Sequence, residues 1–169
     1  MKIIPINTDN LVRCHQINED NTPEVGTTTL EEFQSLMENS DYAFSIAEED
    51  KVIGFVICFQ DSNSTKSYMD TIMHKNFKQI SKRVSDFLYI DRIAVDENYR
   101  NQAIGTKLYS EVIDFANTKK IKHLTAEINL LPSKNTPSFN FHKKFNFSEL
   151  DTVKYSEDYE VSLQVRMNS

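Results

Sequence analysis

Residues 91–109, DRIAVDENYRNQAIGTKLY, pass from an apolar β-branched run through a polar turn into a helical pattern. A strand that leads through a turn into a helix points free backbone N–H groups at whatever lies before the helix, and together with the helix dipole these groups form an anion site. Arg100 adds positive charge, and Gly105 lets the backbone approach a bulky diphosphate closely. The pattern predicts a phosphate-bearing ligand. It is neither a Walker loop nor the dinucleotide motif G-x-G-x-x-G, and taken alone it is also consistent with a purely structural glycine.

The longer stretch YIDRIAVDENYRNQAIGTKLYSEVIDFA resembles the acetyl-CoA-binding core of the GCN5-related N-acetyltransferase (GNAT) family. The family motif is Arg/Gln-x-x-Gly-x-Gly/Ala, and this sequence has Arg100-Asn101-Gln102-Ala103-Ile104-Gly105. Ala103 replaces the first glycine, which places a Cβ near the pyrophosphate. We expect this change to be tolerated if φ of Ala103 is negative, as it is where a helix starts.

A second segment, NTPSFNFHKKFNF, resembles the family's Asn-x-x-Ser/Ala-x-x-Phe-Tyr-x-x-x-Gly-Phe motif. The aligned residues are Asn135, Ser138, Phe141, His142, Asn146 and Phe147. The resemblance covers roughly residues 40 to 165. It is closest to a small bacterial subgroup with Asp-Arg-Ile in the central strand and Phe-His in the second motif, and INEDNTPEVG also looks like that subgroup's loop between the first two helices.

The resemblance implies acetyl-CoA as cosubstrate and no metal. The backbone of Ile93, Ala94 and Val95 would hold the pantetheine arm like an added strand. Asn135 would hydrogen-bond the pantetheine, and Ser138 would contact the phosphate or pantetheine region. The pyrophosphate would bind the amides of the turn and first helical residues, namely Arg100, Asn101, Gln102, Ala103, Ile104, Gly105 and Thr106. Core packing is the alternative role for the side chains of Ile93 and Val95, and helix capping is the alternative for Asn135.

The implied reaction is direct attack of a neutral amine on the thioester. His142 stands where the family usually has Tyr, and either side chain can protonate a leaving thiolate whose conjugate acid has a pKa of about 8.5. Packing without catalysis is the alternative for His142. Asp91 stands where some relatives place a carboxylate base, but with a pKa of about 3.9 it is too weak to deprotonate an ammonium directly. It would need burial, or would act through water or by orienting the amine.

A structural ion pair is the alternative role for Asp91. Its neighbour Arg92 is expected to be a poor partner, because adjacent side chains of a strand face opposite ways. A β-bulge could bring both side chains toward the cleft.

We expect the acceptor to be a small molecule with a primary amine, a free amino acid being one case. Arg92 suits an acceptor carboxylate, and the acidic residues Glu19, Asp20 and Glu24 suit an amine, although a solvated surface also explains them. Arg92, Glu24 and Asn129 are assigned to the acceptor. Two alternatives stay open: an enzyme that modifies a protein N-terminus or lysine, and a non-catalytic acyl-CoA-binding or regulatory domain, which Ala103 and the missing Tyr favour.

Several strands and helices must position these residues. Strands are predicted at KIIPI, at a hairpin of residues 42–49 and 51–59, at 87–95 and 123–130, and at two closing segments, 147–155 and 159–167. This order predicts an α/β (α+β) fold of the GNAT type, with a mixed, mostly antiparallel central sheet that contains a splayed parallel strand pair and is flanked by helices. The chain is expected to be a single N-acetyltransferase domain over residues 1–169.

Helical periodicity predicts a first helix with Leu11, Val12 and Ile17 on one face. Thr29 and Glu32 form a capping-box signature ahead of LEEFQSLMEN. A further helix begins at about Ile104 with Ile104, Leu108, Val112 and Phe115 on one stripe, and TPSFNFHKKF predicts a short helix. Residues 61–83 are polar and of mixed period, and they predict a loop with one irregular helix.

Composition restricts the partners. The formal net charge of −6 and the sequence pI of about 5.2 argue against nucleic acid. No apolar run approaches the ~20 residues that span a membrane, and polar residues from position 7 argue against a signal peptide. Cys14 and Cys58 are expected to be buried, reduced thiols. We therefore expect a cytoplasmic protein with no membrane partner, for which a homodimer stays open.

Overall fold

The structure is a computed structural model that describes residues 1–168, and within them seven strands and six α-helices occur. In chain order they are β1 (Lys2–Pro5), α1 (Leu11–Asp20), α2 (Leu30–Asn39), β2 (Tyr42–Glu48), β3 (Lys51–Gln60), α3 (Asn63–Thr71), α4 (Lys75–Ser81), β4 (Phe87–Val95), α5 (Ile104–Thr118), β5 (His123–Leu131), α6 (Thr136–Lys144), β6 (Ser148–Ser156) and β7 (Tyr159–Met167). A short 3-10 helix, Glu97–Tyr99, connects β4 to the turn before α5.

The strands form one mixed sheet in the order β1-β2-β3-β4-β5-β7-β6. The pairs β1–β2, β2–β3, β5–β7 and β6–β7 are antiparallel. Strand β4 is parallel to β5, where Phe87–Tyr89 pair with His123–Thr125. The predicted mixed α/β fold with one parallel pair is therefore confirmed.

The chain divides into two compact units, one of residues 1–59 with 90–114, the other of residues 60–89 with the chain from Phe115 onward. In the first unit, the rings of Phe33 and Phe55 meet edge to face at 5.3 Å within a buried apolar core. In the second, Phe77 of α4 packs at 5.5 Å from Phe87 and 5.9 Å from Tyr89, both on β4. Aromatic side chains bury large areas, so each unit has a core of its own.

Local signals in the sequence were good guides to several elements. The predicted capping box is present, with Thr29 Oγ1 accepting from the Glu32 N–H at 3.1 Å and Glu32 accepting from the Thr29 N–H. The hairpin turn is made by Glu49 and Asp50, both with positive φ, as two-residue hairpin turns require. Ile104, Leu108 and Val112 are buried on α5, whereas Phe115 is half-buried and Ala116 continues the stripe.

Two predictions about the helices were wrong. Val12 is 63% exposed, because the buried face of α1 runs through Leu11, Cys14 and Ile17, whose spacing of three leaves Val12 to one side. Residues 61–83 form two helices rather than a loop with one irregular helix.

The two helices of that segment have identifiable caps. Ser62 caps α3 by accepting from the Thr65 N–H at 3.1 Å, and His74 caps α4 through Nδ1, which accepts from the Phe77 N–H at 3.1 Å. Met73, with φ of 54°, separates them. Each helix is too short to show a clear apolar period, and histidine is not among the usual N-cap residues, so the pattern escaped detection.

Gly54 on β3 makes close packing around β4 possible in the first unit. A Cβ at this position would lie 3.2 Å from the Ala94 carbonyl oxygen and 3.3 Å from the side chains of Ile104 and Ile46. The backbone oxygen cannot move aside cheaply. Gly54 therefore sets the positions of Ala94 and of the first residue of α5.

We expect Gly54→Ala to lower the free energy of unfolding by about 1–3 kcal/mol, as overpacking does. The matched control is Gly26→Ala, since a Cβ there meets nothing within 4 Å and its φ is not positive. That change should leave stability unchanged or raise it slightly. Urea unfolding of the three proteins measures both effects, and equal stabilities for the two variants would contradict the packing role of Gly54.

Candidate active site

The turn that follows β4 is anchored by Asp96. Its backbone N–H donates to the Ile53 carbonyl at 2.8 Å, and its buried carboxylate accepts from the Asn98 N–H at 2.9 Å and forms an ion pair with Arg13. Burial alone would raise the pKa of Asp96, but the Asn98 N–H and the charge of Arg13 outweigh it, so the pKa lies below its ordinary value. Asp96 stays ionised at neutral pH and fixes where the turn begins.

The backbone of the predicted pyrophosphate turn has an unusual conformation. Arg100 is extended, Asn101 has φ of 65° and Ala103 has φ of 59°, with the residue between them not left-handed. Left-handed residues set between ordinary ones are typical of turns whose N–H groups can bind an anion, and we refer to residues 100–103 as the nest. The exposed residues Asn101, Gln102, Ala103 and Thr106 leave this backbone open to solvent.

The expectation of a negative φ at Ala103 was wrong. The residue lies just before α5 rather than in it, and it adopts the left-handed conformation that a glycine would adopt without penalty. Gly105 is the second residue of α5, and its φ is not positive. The motif glycine that this chain keeps, Gly105, therefore does not serve a left-handed conformation, whereas a glycine at position 103 would have served one.

Asp91 and Arg92 are paired, contrary to the expectation that strand neighbours would not meet. Arg92 Nε donates to Asp91 Oδ2 at 2.8 Å, and the two side chains are only 10% and 2% exposed. The length of the arginine side chain lets its guanidinium reach the carboxylate of its strand neighbour. Arg92 Nη1 also donates to Asn18 Oδ1 and to the Gly26 carbonyl, each at 3.1 Å.

The acidic residues expected to suit an amine acceptor lie at the end of α1, where Glu19 and Asp20 are the last two residues, and in the following loop, where Glu24 lies. Glu19 is engaged within the loop, since it accepts from Thr27 Oγ1 at 2.5 Å and from the Asn18 side chain at 2.8 Å. Burial alone would raise the pKa of Glu19, but these hydrogen bonds together lower it. Glu24 is exposed. Asp20 is exposed as well, whereas the carboxylate of Glu19 is engaged by its hydrogen bonds.

In the second unit, Asn135 caps α6. Its Oδ1 accepts from the Ser138 N–H at 3.3 Å, and its own N–H donates to the Asn129 carbonyl at 3.0 Å. Asn135 therefore caps a helix, which was the alternative role stated for it. Its backbone hydrogen bond also connects the cap to Asn129. Asn129, Asn135 and Ser138 are half-buried and lie within one connected segment.

His142 is 5% exposed and packs edge to face on the ring of Phe147 at 5.0 Å. Its Nδ1 lies 2.8 Å from the Ser138 carbonyl oxygen. A carbonyl can only accept, so Nδ1 carries the hydrogen, and in the neutral ring Nε2 holds a lone pair. Burial lowers the pKa of His142, and the bond to Ser138 offsets this only in part. The neutral imidazole therefore predominates at pH 7.

Sequence analysis missed Glu127 on β5. Tyr89, which is fully buried, donates through its hydroxyl to Glu127 Oε2 at 2.6 Å. Tyr155 lies nearby, and its burial, with Tyr159 and the charge of Glu127, raises the pKa of Tyr155 to about 12. An acidic residue at the centre of an otherwise apolar strand pattern, LTAEI, was the signal that could have found it.

The segment of α3 and α4 is fastened to the β6–β7 hairpin. Tyr155 donates to Asn76 Oδ1 at 2.7 Å, and Lys75 Nζ lies 5.6 Å from the centre of the Tyr155 ring. Arg83 Nε donates to Asp151 Oδ2 at 2.7 Å. These contacts join α4, and Arg83 just after it, to strand β6.

The described residues contain no group of three or more His, Cys, Asp or Glu side chains that could hold a metal ion. Across residues 1–168, each helix is too short or too polar to cross a membrane.

Ala103→Gly should raise the free energy of unfolding by about 0.5–1 kcal/mol, because the gain from removing a left-handed alanine exceeds the extra entropy of glycine in the unfolded chain. Urea unfolding measures the change. Ser110→Gly, at an exposed position inside α5, is the control and should lower stability by about 0.5 kcal/mol. If both glycines destabilise equally, the left-handed conformation of Ala103 is contradicted.

The sequence matches the model of a known protein family. Residues 11–147 match the model of the acetyltransferase (GNAT) family. No curated protein matches the chain in a comparison of sequences.

Three solved structures are similar in fold. The ribosomal-protein-S18-alanine N-acetyltransferase from Escherichia coli has a TM-score of 0.73 at 17% identity, covering 99% of this chain and 94% of that one. Ard1 from Thermoplasma volcanium has a TM-score of 0.77 at 16% identity, covering 99% and 97%. The NatC complex bound to Gag peptide and CoA has a TM-score of 0.74 at 15% identity, covering 100% of both chains. The family match spans most of the sequence, and the chain therefore belongs to the acetyltransferase (GNAT) family and is an N-acetyltransferase.

Proposed function

We propose that the protein transfers the acetyl group of acetyl-CoA to the primary amine of a small molecule, by direct attack of the amine on the thioester. The amine nitrogen bonds to the thioester carbon, the carbon–sulfur bond breaks, and the amine loses one proton while the CoA thiolate gains one. The proposal is carried by the carboxylate of Glu127, which accepts a hydrogen bond from the hydroxyl of Tyr89 at 2.6 Å.

The nest at Asn101 and Ala103 supports acetyl-CoA as cosubstrate. Its backbone amides and the exposed Arg100 offer the donors and charge that a pyrophosphate needs. The GNAT family uses acetyl-CoA, and a neighbour in fold, the NatC complex, is bound to CoA. Within the proposal, the backbone of Ile93, Ala94 and Val95 receives the pantetheine.

Two observations support a direct transfer without an acetylated enzyme. Cys14 and Cys58, the two cysteines of the chain, are both fully buried. Burial raises the pKa of Cys14 to about 12 and raises the pKa of Cys58 well above its ordinary value. Because the thiolate is the nucleophilic form, neither cysteine is activated to accept the acetyl group.

A small acceptor is supported by the contacts that fasten α4 to the hairpin. Asn76 is bonded to Tyr155 and Arg83 to Asp151, and we propose that this attachment of the α4 region to β6 limits the room for an extended peptide. Glu127 is proposed to hold the acceptor ammonium and to take its proton through water. Arg92 is committed to Asp91, Asn18 and Gly26, so the carboxylate of an amino-acid acceptor would have to compete for it.

The assignments of Asp91, Arg92, Glu24 and Asn129, the membership of the Asp-Arg-Ile subgroup and a cytoplasmic location stay predictions. Asp91, being paired with Arg92, would orient the amine rather than deprotonate it.

The proposed function predicts acetyl transfer to small amines that depends on Glu127. Wild-type protein incubated with acetyl-CoA and a panel of amino acids, polyamines, aminoglycosides and short peptides should release CoA and yield an acetylated small amine. Glu127→Gln should lower kcat on the order of 10²–10⁴-fold, as loss of a positioned proton acceptor does. The control is Glu149→Gln on β6, an exposed carboxylate bonded to Ser162. Turnover confined to peptides would contradict a small acceptor, and full activity of Glu127→Gln would contradict the role of that carboxylate.

His142 is proposed to deliver a proton to the CoA sulfur. Since its Nδ1 hydrogen is given to Ser138, it must first be protonated at Nε2. His142→Gln keeps a donor for the Ser138 carbonyl but cannot transfer a proton, so kcat should fall on the order of 10²–10⁴-fold while acetyl-CoA affinity changes little. His142→Tyr should recover part of the rate with a pH optimum moved upward, because a phenol with a pKa of about 10 holds its proton longer. Nearly full kcat of His142→Gln across pH 6 to 9 would show that His142 only lines the site.

A further inference from the structure

We infer that Asn21 is a positioning residue that couples the loop between α1 and α2 to the acetyl-CoA turn. The inference rests on the proposed binding of acetyl-CoA at residues 100–106. It concerns only the first unit, where the side chain of Asn21 is bonded to three separate parts of the chain.

The amide of Asn21 is fully used. Its Nδ2 donates to the Ile17 carbonyl at 2.8 Å and to the Val95 carbonyl at 3.1 Å. Its Oδ1 accepts from Arg100 Nη2 at 3.0 Å. A primary amide has two N–H donors, and here each has its own carbonyl. One side chain thus joins the end of α1, the end of β4 and the arginine of the proposed pyrophosphate turn.

Asn21 is also the residue at which the loop leaves α1. Its backbone N–H donates to the Asn18 carbonyl at 3.0 Å, and its own carbonyl accepts from the Val25 N–H at 3.1 Å. Farther along the loop, Gly26 is held through its carbonyl by Arg92 at 3.1 Å. The loop is therefore attached to β4 at two points, to Val95 through Asn21 and to Arg92 through Gly26.

Arg100 makes the two regions interdependent. Its side chain is long and its residue is exposed, so without a partner it would sample many rotamers, and fixing it on binding would cost entropy. Asn21 holds it in one arrangement beside the nest. An anion bound in the nest would in turn hold Arg100 and, through Arg100, the side chain of Asn21 and the start of the loop that carries Glu24. Coupling of this kind is reciprocal.

Acetyl-CoA affinity, measured by calorimetry without an acceptor, tests the coupling. Asn21→Ala should weaken binding about threefold to tenfold, Arg100→Ala at least as much, and the double variant no more than Arg100→Ala alone, since Asn21 acts through Arg100. The matched control is Asn39→Ala, because Asn39 also donates from Nδ2 to a helix carbonyl, that of Ser35 at 2.9 Å, but lies on an exposed helix end. Effects of Asn21→Ala and Arg100→Ala that simply add, or unchanged binding by Asn21→Ala, would overturn the inference.

Hydrogen exchange of the wild-type protein tests the same coupling without any substitution. Acetyl-CoA should slow amide exchange in residues 21–28 as well as in residues 100–106. Slower exchange in residues 100–106 with none in residues 21–28 would overturn the inference but leave the proposed function intact. Absence of acetyl-CoA binding to wild-type protein would overturn the proposed function, and the inference with it.

Discussion

The guanidinium of Arg92 on β4 joins the strand to α1 and to the loop that follows α1. Arg92 is only 10% exposed and its partner Asp91 only 2%, and removing such charges from water is costly unless each finds partners of good geometry. Asp91 supplies one partner, but the planar guanidinium has further N–H groups to satisfy. The oxygens of Asn18 and Gly26 accept from Nη1, and this requirement fixes the loop between α1 and α2 against the strand.

The second unit is organised around a tyrosine in a comparable way. Tyr89 is fully buried, so its hydroxyl must have an acceptor, and Glu127 provides it at 2.6 Å. The ring of Tyr89 also meets His74 at 5.5 Å, where His74 caps α4. The proposed acceptor carboxylate is thereby linked, through Tyr89, to the start of α4. In each unit, a polar group removed from water is thus held by hydrogen bonds that fix the residues near it: Arg92 in the first unit and Tyr89 in the second.

Elements with a strong local sequence pattern could be predicted from the sequence. Backbone conformations and side-chain pairs that depend on contacts elsewhere in the fold could not. Strand 87–95 and helix 104–118 have strong periodicity, and the capping box at Thr29 is a local signature, so all three were predicted. The left-handed φ of Ala103 is set by how the turn joins β4 to α5 and cannot be deduced from an alanine. The pairing of Asp91 with Arg92, and of Glu127 with Tyr89, depends on side chains that reach farther than strand alternation suggests. The family motif located the turn, but it said nothing about Asn21.

The central claim of the account is that the acetyl group passes directly from CoA to the amine, with no acetylated form of the enzyme between them. Intact-protein mass spectrometry after mixing the enzyme with acetyl-CoA alone, followed by addition of an amine substrate, tests this most directly. Because both cysteines are buried with raised pKa values, we predict an unmodified protein mass, and release of CoA only when the amine is added. A protein heavier by one acetyl group that then passes it to the amine would contradict the account.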